Sequence, residues 1–156
     1  MMSQDVLLMR NTDGVFDLAV SDTTKDFSKA DGFETAIVVS FFTDARAPAS
    51  NIAQPENRRG WAGDILTAGI GRSLGSLLWL YDQERNTDVM RNQIAGEAQA
   101  ALRWMVEDGV AKSVSASIGA FTGRNVTILV KIVVPSGNVL EYAVLWDRTR
   151  LSITGS

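Results

Sequence analysis

Between Phe33 and Thr43, in FETAIVVSFFT, the apolar positions sort by either period. A strand sets Ile37, Val39 and Phe41 on one face and leaves Val38 and Phe42 on the other. A helix collects Phe33, Ile37, Phe41 and Ala45, with Val38 and Phe42 adjoining. We read a largely buried helix with Asp31 as its candidate cap, while the β-branched content keeps the strand reading open. Thr87 to Glu107 is the clearest helix: Met90, Ile94, Ala98, Ala101, Leu102 and Met105 recur at steps of three and four. Asn86 or Thr87 can cap its start, and Gly109 suits the left-handed residue that ends many helices. Gly96 weakens a helix interior by roughly 1 kcal/mol relative to Ala, so it is read as a mark of close packing.

After Gly109 the period changes to two. KSVSASIGAF sets Val114, Ala116, Ile118 and Ala120 opposite a row of serines. NVTILVKIVV alternates Val126, Ile128, Val130, Ile132 and Val134 against Thr127, Leu129, Lys131 and Val133, and VLEYAVLW follows. These segments predict a three-stranded antiparallel meander joined at Thr122-Gly123-Arg124 and Ser136-Gly137-Asn138. Its middle strand is apolar on both faces, so both are expected to be covered. At the other end, DVLLMRNTDGVFDLAV predicts a hairpin about Asn11-Thr12-Asp13-Gly14. A polar connection follows it, and residues 44–60, with two of the three prolines, read as a long loop. The tail DRTRLSITGS, from about residue 147, receives no element. The pattern thus predicts one α+β domain over residues 1–156, with an N-terminal β-hairpin, two main helices and a C-terminal three-stranded antiparallel meander.

Composition removes several function classes. The chain is 46% hydrophobic and 21% charged with a net charge of −3, which argues against wholesale disorder and against the basic face of a nucleic-acid binder. It contains neither cysteine nor histidine. Zinc sites built on those residues are therefore excluded, as are Ser-His-Asp and Cys-His nucleophile systems. Arginine outnumbers lysine, a bias that suits fixed planar contacts at protein interfaces and is equally explained by genomic composition. The N-terminal MMSQDVLLMRNTDG lacks the form of a secretory signal, and the apolar runs fall short of the roughly 20 residues that span a bilayer. No membrane anchor is expected.

The stretch RRGWAGDILTAGIGRSLGSLLWLYD carries a Gly69-x-Gly71 run. A dinucleotide fingerprint requires G-x-G-x-x-G between a strand and a helix of a βαβ unit. Leu74 stands at the third glycine position, Gly75 falls one residue late, and no βαβ alternation follows. The glycines are better explained by backbone conformations that need positive φ or close approach. Among the carboxylates, Glu97, Glu107 and Asp108 lie on or beside the long helix, and Asp64, Asp82 and Glu84 flank the glycine-rich stretch. A glycosidase needs two of them facing across roughly 5–9.5 Å, which eighteen acidic residues could mimic by chance. Of the tryptophans, Trp104 adjoins the helix stripe and Trp146 ends a strand, so both suit the core. Trp61 sits between Gly60 and Gly63 beside Arg58 and Arg59, and reads equally as an interface anchor or as a plug stapling the loop.

Gly60-Trp61-Ala62-Gly63-Asp64, then Gly75-Ser76-Leu77-Leu78-Trp79-Leu80, then Leu102-Arg103-Trp104-Met105-Val106-Glu107-Asp108-Gly109-Val110-Ala111 form an ordered set, followed by the turn Pro135-Ser136-Gly137. The set resembles the phage Mu gene-product-forty-six family of contractile-tail proteins. Relatives typically show Gly-Trp-Trp-Gly-Asp and Gly-Ser-Arg-Leu-Trp, so Ala62 and Leu77 are departures. A contact made by the missing arginine would fall to Arg72 or be lost. The resemblance implies a structural baseplate component, similar to the wedge proteins that join the baseplate to the first sheath ring, and not an enzyme. Its partners would be other wedge proteins and the tail sheath protein. It would be made in the bacterial host cytoplasm and located in the virion tail baseplate. No cofactor, metal, nucleic acid, membrane or small-molecule substrate is expected. That related group is also called lysozyme-like, which keeps a peptidoglycan-cleaving alternative in view. Its Glu-Pro-Arg motif corresponds here to Glu107-Asp108-Gly109, where only the Glu remains. The residues expected at partner contacts are Arg58, Arg59, Trp61, Asp64, Ser76, Trp79, Glu107 and Asp108. Gly60, Gly63, Gly75 and Gly109 are expected to serve the backbone.

Overall fold

The computed structural model describes residues 4–6, 8–10, 16–18, 29–66, 73–82, 87–147 and 151–155. Short strands β1 (Gln4–Val6), β2 (Leu8–Arg10), β3 (Phe16–Leu18) and β4 (Lys29–Asp31) precede helix α1 (Gly32–Phe42). β1 pairs antiparallel with β4, and β2 with β3. The turn expected at Asn11-Thr12-Asp13-Gly14 lies outside the described residues. Asp31 closes β4, paired with Gln4, immediately before α1.

The helical reading of Phe33–Thr43 holds over Gly32–Phe42. Phe33, Ile37, Val38, Ser40 and Phe41 are all buried, so the helix is enclosed on more than one side, and that accounts for its lack of a clean polar face. Helix α2 (Gly63–Leu66) is a single turn within the loop region.

The predicted long helix is divided. α3 runs Asp88–Ala101, and α4 covers Trp104–Glu107. Between them Arg103 N–H bonds the Ala100 carbonyl and Met105 N–H the Leu102 carbonyl, three-residue closures that tighten the chain and interrupt the α-ladder. Leu102 and Met105 stay fully buried across this break, and the Trp104 indole N–H donates to Ser40 Oγ on α1 at 2.9 Å. Thr87 caps α3 by accepting from Met90 N–H. Gly109, at φ +71, ends α4 with its N–H on the Val106 carbonyl. The close packing expected at Gly96 is absent: a Cβ there would meet nothing within 4 Å.

The meander forms as β5 (Ser113–Thr122), β6 (Asn125–Val133) and β7 (Val139–Trp146), turning at Gly123 and Gly137, both with positive φ. Two expectations change here. The tail adds a fourth strand, β8 (Leu151–Gly155), antiparallel to β7, so the sheet order is β5-β6-β7-β8. Its signal is the brief alternation Leu151-Ser152-Ile153-Thr154, too short to stand out beside the polar residues before it. The second change concerns coverage. Val126, Ile128, Val130 and Ile132 face the core under α1 and α3, together with Val114, Tyr142, Val144 and Trp146. The opposite face is open: Leu129 and Leu145 are each 43% exposed and Val139 is 49% exposed. Two helices suffice to cover one face of a four-stranded sheet; the other is left to solvent with serine, threonine, Lys131 and Glu141 among its apolar positions.

Candidate functional site

The chain leaving α1 forms a short backbone rail, Thr43–Ala47, on which both glycine-tryptophan elements are mounted. Ser76 N–H bonds the Thr43 carbonyl and Ala45 N–H bonds the Ser76 carbonyl, each at 2.9 Å, an isolated parallel bridge between Asp44 and Ser76. This bridge brings the backbone of residue 75 against the rail. Gly75 has φ +112, and a Cβ on it would collide with the Thr43 carbonyl oxygen, so only glycine serves there.

Ser76 is turned inward, 4% exposed. Its hydroxyl donates to the Phe41 carbonyl at 2.8 Å, satisfying an end group of α1, and accepts from Leu78 N–H at 3.3 Å. In this fold its polar capacity is used within the chain. Trp79 follows on the same rail: its indole N–H donates to the Ala45 carbonyl at 3.0 Å, and the Arg59 guanidinium stacks on its ring at 4.6 Å.

The first element closes onto the rail from the other side. Ala47 N–H bonds the Arg58 carbonyl, and Arg58 Nε returns to the Ala47 carbonyl at 2.6 Å. These two bonds close the loop carrying two short 3-10 turns, Ala49–Asn51 and Pro55–Asn57. Arg59 reaches φ +50 and bonds the Asp44 carboxylate at 3.0 Å. Both partners of that pair are partly solvated, so it contributes no more than about 1 kcal/mol. The stacking on Trp79 adds a similar amount, about 0.5–1 kcal/mol. Gly60, at φ +112, packs against Arg46, whose Cβ would lie 2.9 Å from any Cβ placed on residue 60. Asp64 ties the turn at residue 61 to the second element: its N–H bonds the Trp61 carbonyl, and its Oδ1 accepts from Leu74 N–H at 3.1 Å.

Trp61 differs from the rest. Its six-membered ring lies directly on Gly63, where a Cβ would overlap the ring atoms, yet the residue is 49% exposed. The indole is therefore oriented by a bare backbone on one side and open to solvent on the other. Trp61, Gly63, Asp64, Arg58, Arg59, Gly60, Gly75, Ser76 and Trp79 thus belong to one constellation, whereas Glu107 and Asp108 end α4, exposed. Sequence reasoning missed the rail itself. Asp44, Ala45 and Ala47 carry no recognisable spacing, because a partner met through backbone groups leaves little mark on side-chain identity.

The constellation carries guanidinium, indole, carboxylate, hydroxyl and backbone groups. Among the described residues no three His, Cys, Asp or Glu gather as a metal cluster, and no helix is long and apolar enough to cross a membrane. Glu97, on α3, has its carboxyl pushed above the usual range by burial, and it lies outside this constellation.

Residues 33–139 match the profile of a family described as Phage protein GP46. The Mu-like prophage FluMu protein gp46 of Haemophilus influenzae is 32% identical over 138 residues, covering 88% of this chain and 91% of that protein. The matched span contains both glycine-tryptophan elements, the rail, α3, α4 and the strands β5 and β6. The chain belongs to the GP46 family of phage proteins.

Proposed function

We propose that this protein is a structural wedge subunit of a contractile phage or prophage tail baseplate, linking the baseplate to the first sheath ring by protein association and without catalysis. Its partners are other wedge proteins and the tail sheath protein. Trp61 carries the reading. An indole half open to solvent, held in orientation by Gly63 and set on a loop tied down at residues 44 and 47, is a preorganised interface anchor. Arg59, two residues before it, keeps its side chain half exposed while bonded to Asp44. Family membership supports a phage role, and the name of the Haemophilus relative supports a Mu-like prophage setting.

The sheet offers a second attachment, strand addition at β8, the last strand in the order. Three carboxylates are engaged within the fold: Asp44 pairs with Arg59, Glu141 with Lys131, and Asp64 accepts from Leu74 N–H. That pattern favours assembly over acid-base chemistry.

The test is incorporation. Trp61→Ala leaves the isolated chain folded and reduces its incorporation into baseplates assembled from the cognate tail proteins, read as sheathless or incomplete tails by electron microscopy. Normal incorporation by a folded Trp61→Ala protein refutes the anchor. Clearing of a cell-wall suspension by the purified protein, abolished by Glu107→Gln, refutes the non-enzymatic reading.

A further inference from the structure

β5 is one edge of the sheet, and its side chains do little to defend it. SVSASIGAFT contains no charged residue and no proline, the two devices that commonly keep an edge strand from pairing with another chain. The defence comes from α3. Gln99 Nε2 donates to the Val114 carbonyl at 2.7 Å, and Gln99 Oε1 accepts from Ala116 N–H at 2.7 Å. In a parallel ladder a neighbouring residue donates to the carbonyl of residue i−1 and accepts from the N–H of residue i+1. Val114 and Ala116 stand in that relation about Ser115, so the Gln99 carboxamide occupies the place of one peptide unit of a further strand. A carbonyl on one side and an N–H on the other also determine which end of the amide is oxygen.

Two features continue the defence along the strand. The register with β6 shifts between Ile118 and Phe121, a bulge of the kind that spoils edge pairing. Beyond it Arg91, two turns before Gln99 on α3, sets its guanidinium 5.5 Å from the Phe121 ring. Its Nε is buried without a hydrogen-bond partner among the described residues, so its aliphatic and planar parts serve as cover.

We propose that Gln99 guards the β5 edge against antiparallel pairing with β5 of a second copy of this chain, leaving β8 as the edge open to assembly. The β8 half of this statement rests on the strand-addition reading above; the guard does not. Without it, a neutral β-prone edge next to the open face of Leu129 and Leu145 presents unpaired backbone groups and apolar surface together.

The experiment compares the full chain with Gln99→Ala by size exclusion coupled to light scattering over a concentration series, and by amide exchange. The variant's mass climbs toward that of a dimer at concentrations where the native mass is unchanged. At low concentration its Ala116 amide exchanges up to about tenfold faster, the loss of one neutral hydrogen bond. Gln99→Glu loses the donor to the Val114 carbonyl, keeps an acceptor for Ala116 N–H and places a charge on the edge, so it keeps the native mass. Should Gln99→Ala fail to fold, Gln99→Met retains the stem, loses both hydrogen bonds and carries the same expectation. A folded Ala or Met variant of native mass throughout overturns the guard, and so does a Glu variant that associates as readily as Ala. No tail partner enters these measurements, so their failure leaves the wedge reading untouched, and normal incorporation of Trp61→Ala leaves the guard untouched.

Discussion

Ser76 and Trp61 belong to neighbouring elements of one loop system, and the structure gives them opposite orientations. Replacing Ser76 by alanine tests the inward one. The Ser76 oxygen is buried and holds two backbone groups, the Phe41 carbonyl at 2.8 Å and the Leu78 N–H at 3.3 Å. Removing it leaves an acceptor and a donor in an enclosed site, each costing about 1–3 kcal/mol if water cannot replace the lost partner. The longer Leu78 bond belongs at the lower end of that range, so the expected total is about 2–4 kcal/mol. For a chain of this size each kcal/mol lowers the melting temperature by roughly 2–4 °C, which gives a fall of roughly 5–15 °C. Urea unfolding followed by tryptophan fluorescence and far-ultraviolet circular dichroism measures it, and an unchanged slope separates lost stability from a changed unfolded state. A loss below about 1 kcal/mol would mean that water reaches the site, and the description of Ser76 as a sealed staple would fail.

Trp61→Ala provides the contrast, since half of that residue already faces solvent: its unfolding free energy falls by about 1 kcal/mol or less in the same urea series. A collapse comparable to Ser76→Ala would make Trp61 a staple and remove the interface argument. Gly96→Ala in α3 stabilises by about 0.5–1 kcal/mol, because the added methyl enters open space and the helix interior loses its most flexible residue; a destabilised variant would reveal a neighbour pressed against that position. Glu97 titrates above its ordinary range in the folded chain because burial disfavours its charged form. The folded state then holds this proton more tightly than the unfolded state. As pH rises from the unfolded value through the folded one, the unfolded chain deprotonates first and stability falls. Glu97→Gln removes that slope and is at least as stable as the native chain at neutral pH. A variant that is less stable there and keeps the slope refutes the assignment.

Much of the fold is legible from local pattern, because periodicity records which side of an element meets apolar surroundings. Met90, Ile94, Ala98 and Ala101 mark the face that α3 buries. The alternation from Val126 to Ile132 marks the core side of β6, and Gly123 and Gly137 mark turns that need positive φ. The two glycine-tryptophan elements likewise delimit the candidate site and, with the helix end at Leu102–Ala111, identify the family. What remained open concerns pairs of segments far apart in the chain. Alternation on β6 cannot say whether Leu129 is covered, since that depends on how many helices are available to lie on the sheet. Nor can the stripe through Leu102 and Met105 report that the helix breaks there while Trp104 reaches Ser40.

The same division holds at the site. The sequence by itself placed glycine at residues 60, 63 and 75, pointed to special backbone conformation there, and determined that any catalysis would proceed without histidine or cysteine. Only the tertiary structure decided that Gly75 lies on the Thr43 carbonyl, that Ser76 turns inward and Trp61 outward, and that Gln99 reaches across to β5. The reason is physical: local conformation and burial tendency are properties of a short window, whereas a hydrogen bond to a distant backbone group is specified by where the whole chain brings that group.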